Sequence, residues 1–547
     1  MHNAHMLDVC DFQAQDLHGL SAGALAEVAA TMLQHIARQS RHIGAQSKQI
    51  DEQSAHIASQ AQAIKFRDAK IERITHELAR LKAWRFGART ESMNAEQRQL
   101  FEETLAADQA SLEAQLEALQ AQPGAQGEPA AVAPRRQPKR QALPENLQRV
   151  EHRHEPENTT CDCGQPMVRV GEDISEKLDI VPAQFFVHRH IRGKWACKCC
   201  QALVQEPVEP HIIDKGMPAE GLLAHVLVMR FIDHLPYYRQ EQINARSGVH
   251  TPRSTLAAWS GRAGAGLMPL YDAHREFVLG AATVHADETP VNMLDPGTGK
   301  TKRAYVWAYA RSSFDTLPGV VYDFCIGRAA KYPVQFLQGW SGTLVCDGYA
   351  AYDQVMKLER RIEAGCLAHA RRKFDELIKD HQSPVATHAV QRIAWLYRIE
   401  REAKELPAQE RLTMRQSKAK PLCEELHVWL RLERQRVPDG SAIARAIDYS
   451  LNRWTALTAY LLDGNVPIDN NHIENLMRPW AMGRKAWLFA GSELAGQRAA
   501  VVMSLAQSAK MHGHDPWAYL KDVLTRLPGH LNSRIDELLP HRWQPQG

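Results

Sequence analysis

Long apolar runs are missing from this sequence. None reaches the roughly 18–20 residues that a helix needs to cross a bilayer, so no membrane partner is expected. The opening residues, MHNAHMLDVCDFQAQDLHGL, have no basic stretch followed by an apolar core, which argues against a secretory signal and for a cytoplasmic protein, nucleoid-associated in a bacterial host. An excess of charge of one sign is also missing. With 66 Lys and Arg against 63 Asp and Glu, a nucleic-acid partner must be argued from local clusters rather than from bulk charge. Cysteine is sparse and uneven: five of the ten lie between Cys161 and Cys200, a clustering that suggests a metal site sooner than a disulfide framework. What remains is ordinary soluble composition, 44% hydrophobic and 24% charged, in a chain of 547 residues that is too long for one core and implies three or four modules.

From about residue 22 to 120 proline and glycine almost vanish and the chain reads as helix. Ile36, Ile43, Ile50, Ile57, Ile64, Ile71 and Leu78 recur at seven-residue steps, the coiled-coil period, with Ser40, Ser47, Ser54 and Ala61 on the other seam position. A lean, self-associating zipper is the expectation; the alternative is a long amphipathic helix packed on its own chain. The pattern breaks near Arg85-Phe86-Gly87-Ala88. The stretch at about 121–145 is Ala, Pro, Gln and Gly with Arg135-Arg136 and Lys139-Arg140, a flexible linker with a cationic end that either contacts phosphates or is simply solvated.

Cys161-Asp162-Cys163 and Cys197-Lys198-Cys199-Cys200 then bracket alternating stretches that look like short strands, such as Phe185 to Ile191. Cys161, Cys163, Cys197 and Cys200 form a C-x-C…C-x-x-C set suited to tetrahedral structural Zn²⁺, which supplies folding energy that a small module lacks; Cys199 is the alternative fourth ligand, and unligated thiols are the plainer reading. Residues 218–262 look helical. A helix following Leu235-Pro236, a turn through Gly248 to Pro252, and a second helix with Ser254 as its cap suggest a helix-turn-helix, with Arg253 as a DNA contact; the same shape also serves as a packing unit.

From Ala282 the pattern turns to strands. Thr283 to Thr289 reads as a short strand delivering Asp287 at its end, Arg303 to Arg311 and Gly319 to Ile326 as two neighbours, and Ala329 to Leu337 as a helix. Thr343 to Cys346 is a buried strand with Asp347 at its exit, and Ile362 to Cys366 a fifth strand running into a helix with His369 and Arg371-Arg372-Lys373. The order fits a mixed sheet flanked by helices. Two aspartates at the ends of adjacent strands repel unless a cation lies between them, and hard oxygen ligands suit Mg²⁺ or Mn²⁺. A third carboxylate is available on the helix opened by Asp469-Asn470-Asn471, where Asp469 or Asn470 can cap the helix that carries Glu474. Asp287, Asp347 and Glu474 are therefore the candidate catalytic residues and ligands of a two-ion site. Arg478 lies one turn beyond Glu474, and Arg484, Lys485 and Trp487 follow, suited to phosphate contact and base stacking, as are Arg371, Arg372 and Lys373 to phosphate.

The stretches HADETPV, CDGYAAYD, GCLAHARRKF and IDNNHIENLMRPWAMGRKAWLFAGS closely resemble the IS66 family of bacterial insertion-sequence transposases, and the likeness runs through nearly the whole chain to HGHDPWAYLKDVLTRLP. The resemblance implies a multidomain α+β protein: a helical, coiled-coil oligomerisation region at 1–120, the basic linker at 121–145 and a zinc-binding module at 146–210. A helical DNA-binding region at 211–275, an RNase H-like α/β catalytic domain at 276–500 with a helical insertion at about 382–463, and a helical tail at 501–547 complete it. The implied triad falls on Asp287, Asp347 and Glu474, and Cys366 with His369 forms a C-x-x-H element of accessory role or plain packing. The sequence departs from the pattern at Ala481, seven beyond Glu474, where many such enzymes carry Lys or Arg, and in reading HIEN where a basic residue is expected after the glutamate. Terminal-phosphate contact is accordingly assigned to Arg478 or Arg484. The implied reaction is metal-dependent cleavage at the element's inverted-repeat ends followed by attack of the freed 3′-hydroxyl on target DNA. The implied partners are end and target DNA, further copies of the chain, and companion proteins encoded by the same element. The rival readings are a nuclease of the same fold that cuts without joining, and a DNA-binding repressor with a dead catalytic domain.

Overall fold

A computed structural model describes residues 21–85, 95–120 and 143–545, apart from 144, 146, 157–158, 161–163, 182–183, 296–297, 299, 359 and 382. The chain divides into two compact units, residues 1–76 and 77–547. The basic linker cluster at 135–140 and the cysteines Cys161 and Cys163 lie outside the described residues.

The proline-free N-terminal stretch forms α1 (Ala22–Arg85), which stops where the heptad pattern breaks, and α2 (Ala95–Gln120). In the first unit Ile64 is 43% exposed and Phe66 74%, while Ile74 is buried. A helix that leaves this much apolar surface open on its own chain is suited to a partner helix.

A small sheet follows, built from β1 (Arg149–His154), β2 (Val168–Val181), β3 (Gln184–Ala196) and β4 (Leu203–Gln205), in which β3 lies between β1 and β2 and also pairs with β4. Its β2 and β3 are long strands of 14 and 13 residues, not the short ones that the alternating stretches suggest. Four helices come next: α3 (Glu220–Phe231), α4 (Tyr237–Arg246), α5 (Arg253–Gly266) and α6 (Met268–Leu279). Pro252, not Ser254, holds the N-cap position of α5; proline fixes φ for helix entry, and Ser254 falls inside the first turn.

The main sheet has the order β7-β6-β5-β8-β9, from β5 (Thr283–Asp295), β6 (Lys300–Arg311), β7 (Val320–Cys325), β8 (Gly342–Cys346) and β9 (Arg361–Gly365). The hairpin β5–β6 and its neighbour β7 are antiparallel, while β5, β8 and β9 are parallel. Parallel pairing requires crossovers, which are supplied by α7 (Lys331–Phe336) before β8 and α8 (Ala351–Met356) before β9. Ala304, Val306, Ala308 and Ala310 on β6 and Val284 and Ala286 on β5 have no exposed surface, as expected for strands covered on both faces.

Beyond β9 come α9 (Leu367–His381), α10 (Pro384–Ala403), α11 (Ala408–Met414), a π-helical turn at Arg415–Ala419, α12 (Lys420–Arg436), α13 (Ala442–Asn452) and α14 (Trp454–Leu457). These helices share a second core around Phe374, Leu396, Leu426 and Ile447. The π-turn places Arg415 fully inside, where its guanidinium pairs with Glu400 and donates to the carbonyls of Tyr460, Asp463 and Val466, so the buried charge is completely satisfied.

The chain returns to the sheet through α15 (Asn471–Trp487), α16 (Glu493–Met511) and α17 (Pro516–Arg526). On α16, Ser504 and Ser508 accept the backbone N–H groups of Tyr322 and Val320 at 2.8 and 3.0 Å, which covers the open edge of β7. Gly496 lets the helix lie against the Phe324 ring, where a Cβ would come within 2.4 Å. Helix α2 is fixed to the same body: buried Asp108 pairs with Arg498 at 3.3 Å and accepts from Ser492, and Gly261 on α5 allows the Ala107 backbone to approach so closely that a Cβ would meet its carbonyl oxygen at 2.0 Å.

Gly261→Ala should therefore force α2 and α5 apart. The expected loss is about 1–3 kcal/mol, the usual cost of overpacking, read as a lower midpoint in urea denaturation; an unchanged midpoint would show that the two helices separate freely.

Candidate active site

Strands β5 and β8 pair in parallel, with Val284 opposite Leu344 and His285 opposite Val345. Side chains alternate, so Asp287 and Asp347, each two residues further on, leave the same face of neighbouring strands, whose backbones lie about 4.8 Å apart. Asp287 is not at a strand end. β5 runs on to Asp295 against β6, and Asp287 instead lies just past the last residue paired with β8. Asp347 follows directly on β8, and its carboxylate accepts the backbone N–H of Tyr349 at 2.9 Å.

Glu474 occupies the first turn of α15. The residue that brings it in is Asn470, which is fully buried. Asn470 holds the N-cap position but makes no side-chain cap. Its amide spans two elements instead, with Nδ2 donating to the Ala286 carbonyl at 2.9 Å and Oδ1 lying 2.8 Å from His285 Nδ1. Because Oδ1 can only accept, His285 carries its proton on Nδ1 and is neutral, in keeping with burial that pushes its pKa down to about 3. The backbone N–H of Asn470 is accepted by the buried Cys366 sulfur at 3.2 Å. Asp469 accepts the N–H of Asn471 at 3.1 Å and the Tyr397 hydroxyl at 2.9 Å, so both residues expected as caps act as anchors.

The carboxylates share one electrostatic environment. Burial first, then the like charges of Glu288, Asp347 and Glu474, push the Asp287 carboxyl up to about 8. Glu474 Oε1 is buried with no hydrogen-bond partner, as is Nδ1 of His369, 3.8 Å away; Arg372 lies 3.7 Å from the other Glu474 oxygen. Cys366, His369 and Glu474 bring their ligand atoms within 4.8 Å of one another. Burial pushes the Cys366 thiol up to about 12, which keeps it protonated and fits it to its role as an acceptor of backbone N–H groups. An orphaned carboxylate oxygen beside mutually repelling carboxylates is the donor set that a hard divalent cation satisfies.

Three supports that the sequence reading missed surround this centre. Glu288, beside Asp287, is buried on the reverse face, where it accepts from Arg328 Nε at 2.7 Å and from the Tyr352 hydroxyl at 3.1 Å. Arg328 in turn stacks on Tyr349, 3.6 Å from the ring centroid. From α13, the Tyr449 hydroxyl donates to the Asp347 carbonyl at 3.0 Å. Arg453, paired with Glu363, lies so close over Gly348 (φ +86°) that a Cβ there would meet the guanidinium carbon at 2.1 Å. The HADET string held a signal for Glu288, an acid directly following the first aspartate; nothing local marks Tyr449 or Arg453.

The other predicted residues are distributed as follows. Arg371 pairs with Asp375 and, with Arg372, lines an open groove together with Lys379, Tyr397 and Asn471. Lys373 lies over the Tyr449 ring. Arg478 and Lys485 are exposed, and Arg484 donates to Thr289 Oγ1 and the Pro290 carbonyl at 3.1 and 2.9 Å. Trp487, expected to stack on a base, is only 9% exposed; its ring is packed among Phe231, His234 and Trp480. Arg253 pairs with Glu241 at 3.7 Å, and α5 behind it is covered along most of its length, leaving its N-terminal end open. Cys197 is buried and Cys199 and Cys200 exposed in a tight turn closed by Gln201 N–H to the Cys197 carbonyl at 3.0 Å, with Gln201 in the left-handed region.

In the absence of divalent metal the raised Asp287 pKa has a sign. The folded chain holds this proton more tightly than the unfolded chain, so stability is greatest below about pH 4 for this group and is lost as pH rises toward about 8. Asp287→Asn is expected to raise the melting temperature of the metal-free protein at pH 8 and to flatten its decline between pH 5 and 8, measured by calorimetry with chelator present; equal pH dependence in both proteins would refute the shared repulsion.

Comparison with known proteins adds the family. Residues 215–498 match the model described as "Transposase IS66 family", 158–201 the "zinc-finger binding domain of transposase IS66", 504–541 the "IS66 C-terminal element", and 73–151 the model described as "Transposase C of IS166 homeodomain". The chain is 38% identical over 416 residues to "Uncharacterized protein y4jD" of Sinorhizobium fredii, covering 74% of this chain and 81% of that protein. It is 39% identical over 426 residues to "Uncharacterized protein y4qI" of the same organism, covering 75% and 79%.

Proposed function

The chain belongs to the IS66 family of DDE transposases, and we propose that it cleaves DNA at the ends of an insertion sequence and joins the freed 3′-hydroxyl to target DNA, with Asp287, Asp347 and Glu474 as its catalytic triad. The family itself brings a DDE catalytic domain that uses divalent metal ions, a zinc finger and a leucine zipper. The observation that carries the residue assignment is the convergence of Asp287 and Asp347 from adjacent parallel strands with Glu474, where burial first and then the neighbouring carboxylates push Asp287 up to about 8. The sheet order, with three antiparallel strands followed by two parallel ones, supports an RNase H-like reading of the catalytic region.

Asp287, Asp347 and Glu474 would hold two Mg²⁺ or Mn²⁺ ions. Bound there, such a pair supplies activation of the attacking oxygen and neutralisation of charge on the leaving oxygen. The chain's own residues set the geometry. Asn470 fixes the helix that carries Glu474 against β5, the Tyr349 N–H orients one oxygen of Asp347, and Glu288 with Arg328 braces the strand from behind. His285 and the protonated Cys366 keep the floor of the site neutral. His369 and Arg372 lie against Glu474 and would orient it, the accessory role proposed for the C-x-x-H element. Arg371, Arg372, Arg478 and Lys485 are the side chains open to DNA phosphates, with Arg484 beside them. Cys197 and Cys200, with Cys161 and Cys163, are the proposed zinc ligands, and the seven-residue spacing of isoleucines along α1, with Ile64 exposed, supports self-association through the zipper.

The test is a cleavage and joining assay on the flanking inverted-repeat ends with Mg²⁺ or Mn²⁺. Glu474→Gln and Asp287→Asn should each lower both steps more than about a thousandfold, a barrier change of about 4 kcal/mol, while end binding by mobility shift stays intact. Cutting without joining by the native chain would favour the nuclease reading, binding without either step the repressor reading, and joining retained by either variant would sink the assignment.

A further inference from the structure

The β5–β6 hairpin continues well past Asp287 and ends in a cationic strand, Lys300-Thr301-Lys302-Arg303, that the proposed catalysis does not use. All four residues are exposed, and none of the three cations takes part in an ion pair among the described residues. The hairpin is held by pairing and by a neighbouring segment. It pairs without interruption from Val284 opposite Arg311 to Asp295 opposite Lys300, its Met293 and Leu294 are buried, and the chain beyond α15 pins it through Leu294 N–H to the Ala490 carbonyl and Ala490 N–H to the Asn292 carbonyl at 2.8 and 2.7 Å. Three exposed cations on a paired strand, with the Asp295 carboxylate opposite Lys300, leave net positive charge that suits an external polyanion.

The register decides which cations share the face of the catalytic centre. Lys302 is opposite Met293 and Lys300 opposite Asp295, each an even number of residues from Asp287, so both project from the face that carries the aspartate. Arg303 is opposite Asn292 and projects from the reverse face. Between Asp287 and Lys302 the same face is crossed by the end of α15, where Arg484 is held on Thr289 and Lys485 is exposed. The cations therefore follow one line: Arg484 and Lys485, then Lys302, then Lys300. At about 3.4 Å per residue, Lys302 and Lys300 lie about 20 and 27 Å along the strand from Asp287, a length spanned by about six to eight base pairs at 3.4 Å each.

Resting on the proposed function, we infer that this hairpin face is a docking surface for the transposon-end duplex, with Lys302 and Lys300 contacting backbone phosphates about six to eight base pairs inside the scissile phosphate. The contacts are to phosphate and carry no sequence, so they align the end along β5 and aim its terminus at the carboxylates.

The test compares full-length native protein with Lys300→Gln/Lys302→Gln and with Arg303→Gln, binding an end duplex across a salt series. Two lost phosphate contacts should flatten the slope of log affinity against log salt by about 2, so the affinity lost between about 0.05 and 0.2 M salt shrinks about tenfold. Arg303→Gln should match the native protein, and equal melting temperatures should show that all three fold alike. Neutral methylphosphonates placed about six to eight base pairs inside the end should weaken native binding and leave the double variant unaffected. Equal effects of Arg303→Gln and the double variant would reduce the hairpin to general charge and overturn the inference. So would sensitivity to methylphosphonates only in the flanking or target DNA. A native chain that ignores the end duplex altogether would remove the proposed function, and this surface with it; a native chain that cleaves ends while the double variant behaves identically would remove the surface alone.

Discussion

Repulsion among four carboxylates is the constraint around which the rest of the catalytic region is arranged. Asp287, Glu288, Asp347 and Glu474 come from two strands and a helix, and burial first, then the like charges of the other three, push Asp287 up to about 8. A fold left to relax would move them apart. Specific contacts prevent it. Asn470 clamps the helix of Glu474 to β5, Arg328 neutralises Glu288, and Tyr449 and Arg453 hold the turn that carries Asp347. The energy of folding elsewhere maintains an arrangement that a proton on Asp287 or a bound cation relieves.

The same constraint explains why neutral groups line the floor. A charged imidazole at His285 would offset the carboxylates and weaken their hold on a metal. Burial instead drives it to about 3, and its Nδ1 proton is committed to Asn470. Cys366 follows the same logic with the opposite sign: a thiolate would add to the repulsion, and burial keeps it a thiol whose sulfur accepts backbone N–H groups. Positive charge is kept to the rim, on Arg372 against Glu474 and on exposed Arg371 and Lys373.

Much of this was legible in the residues. The order of strands and helices from Thr283 to Leu367 follows the alternation of apolar runs with turn residues, because buried parallel strands leave a strong pattern. The three carboxylates stood out because each closes or opens such an element. What the pattern could not carry were relations between distant segments. That Asn470 would serve as a bridge rather than a cap depends on Ala286 and His285, about 185 positions away, and local capping rules see only the helix itself. Trp487 read as an exposed aromatic among cations, yet it is buried between Trp480 of its own helix and Phe231 of a helix some 250 residues earlier. The length of β5 was underread for a related reason: past Thr289 its burial comes from the Ala490 segment, which no local periodicity reveals.

The helices between β9 and α15 take on meaning from the same set of contacts. They have a core of their own, and a segment of that kind could have been attached to the sheet by loops alone. Instead Tyr449 donates to the backbone of Asp347 and Arg453 packs over Gly348, a position that only glycine can fill because its φ is +86° and a Cβ would strike the guanidinium. Tyr397, from the same group of helices, has no such backbone role but donates to Asp469 at the start of α15. The helical segment thus touches both the turn after Asp347 and the entry to the helix of Glu474, and Lys373 on α9 lies over the Tyr449 ring between them. Hydrogen bonds of about 3 Å thus link those helices to the Asp347 backbone and, through Asp469, to the entry of the helix that carries Glu474.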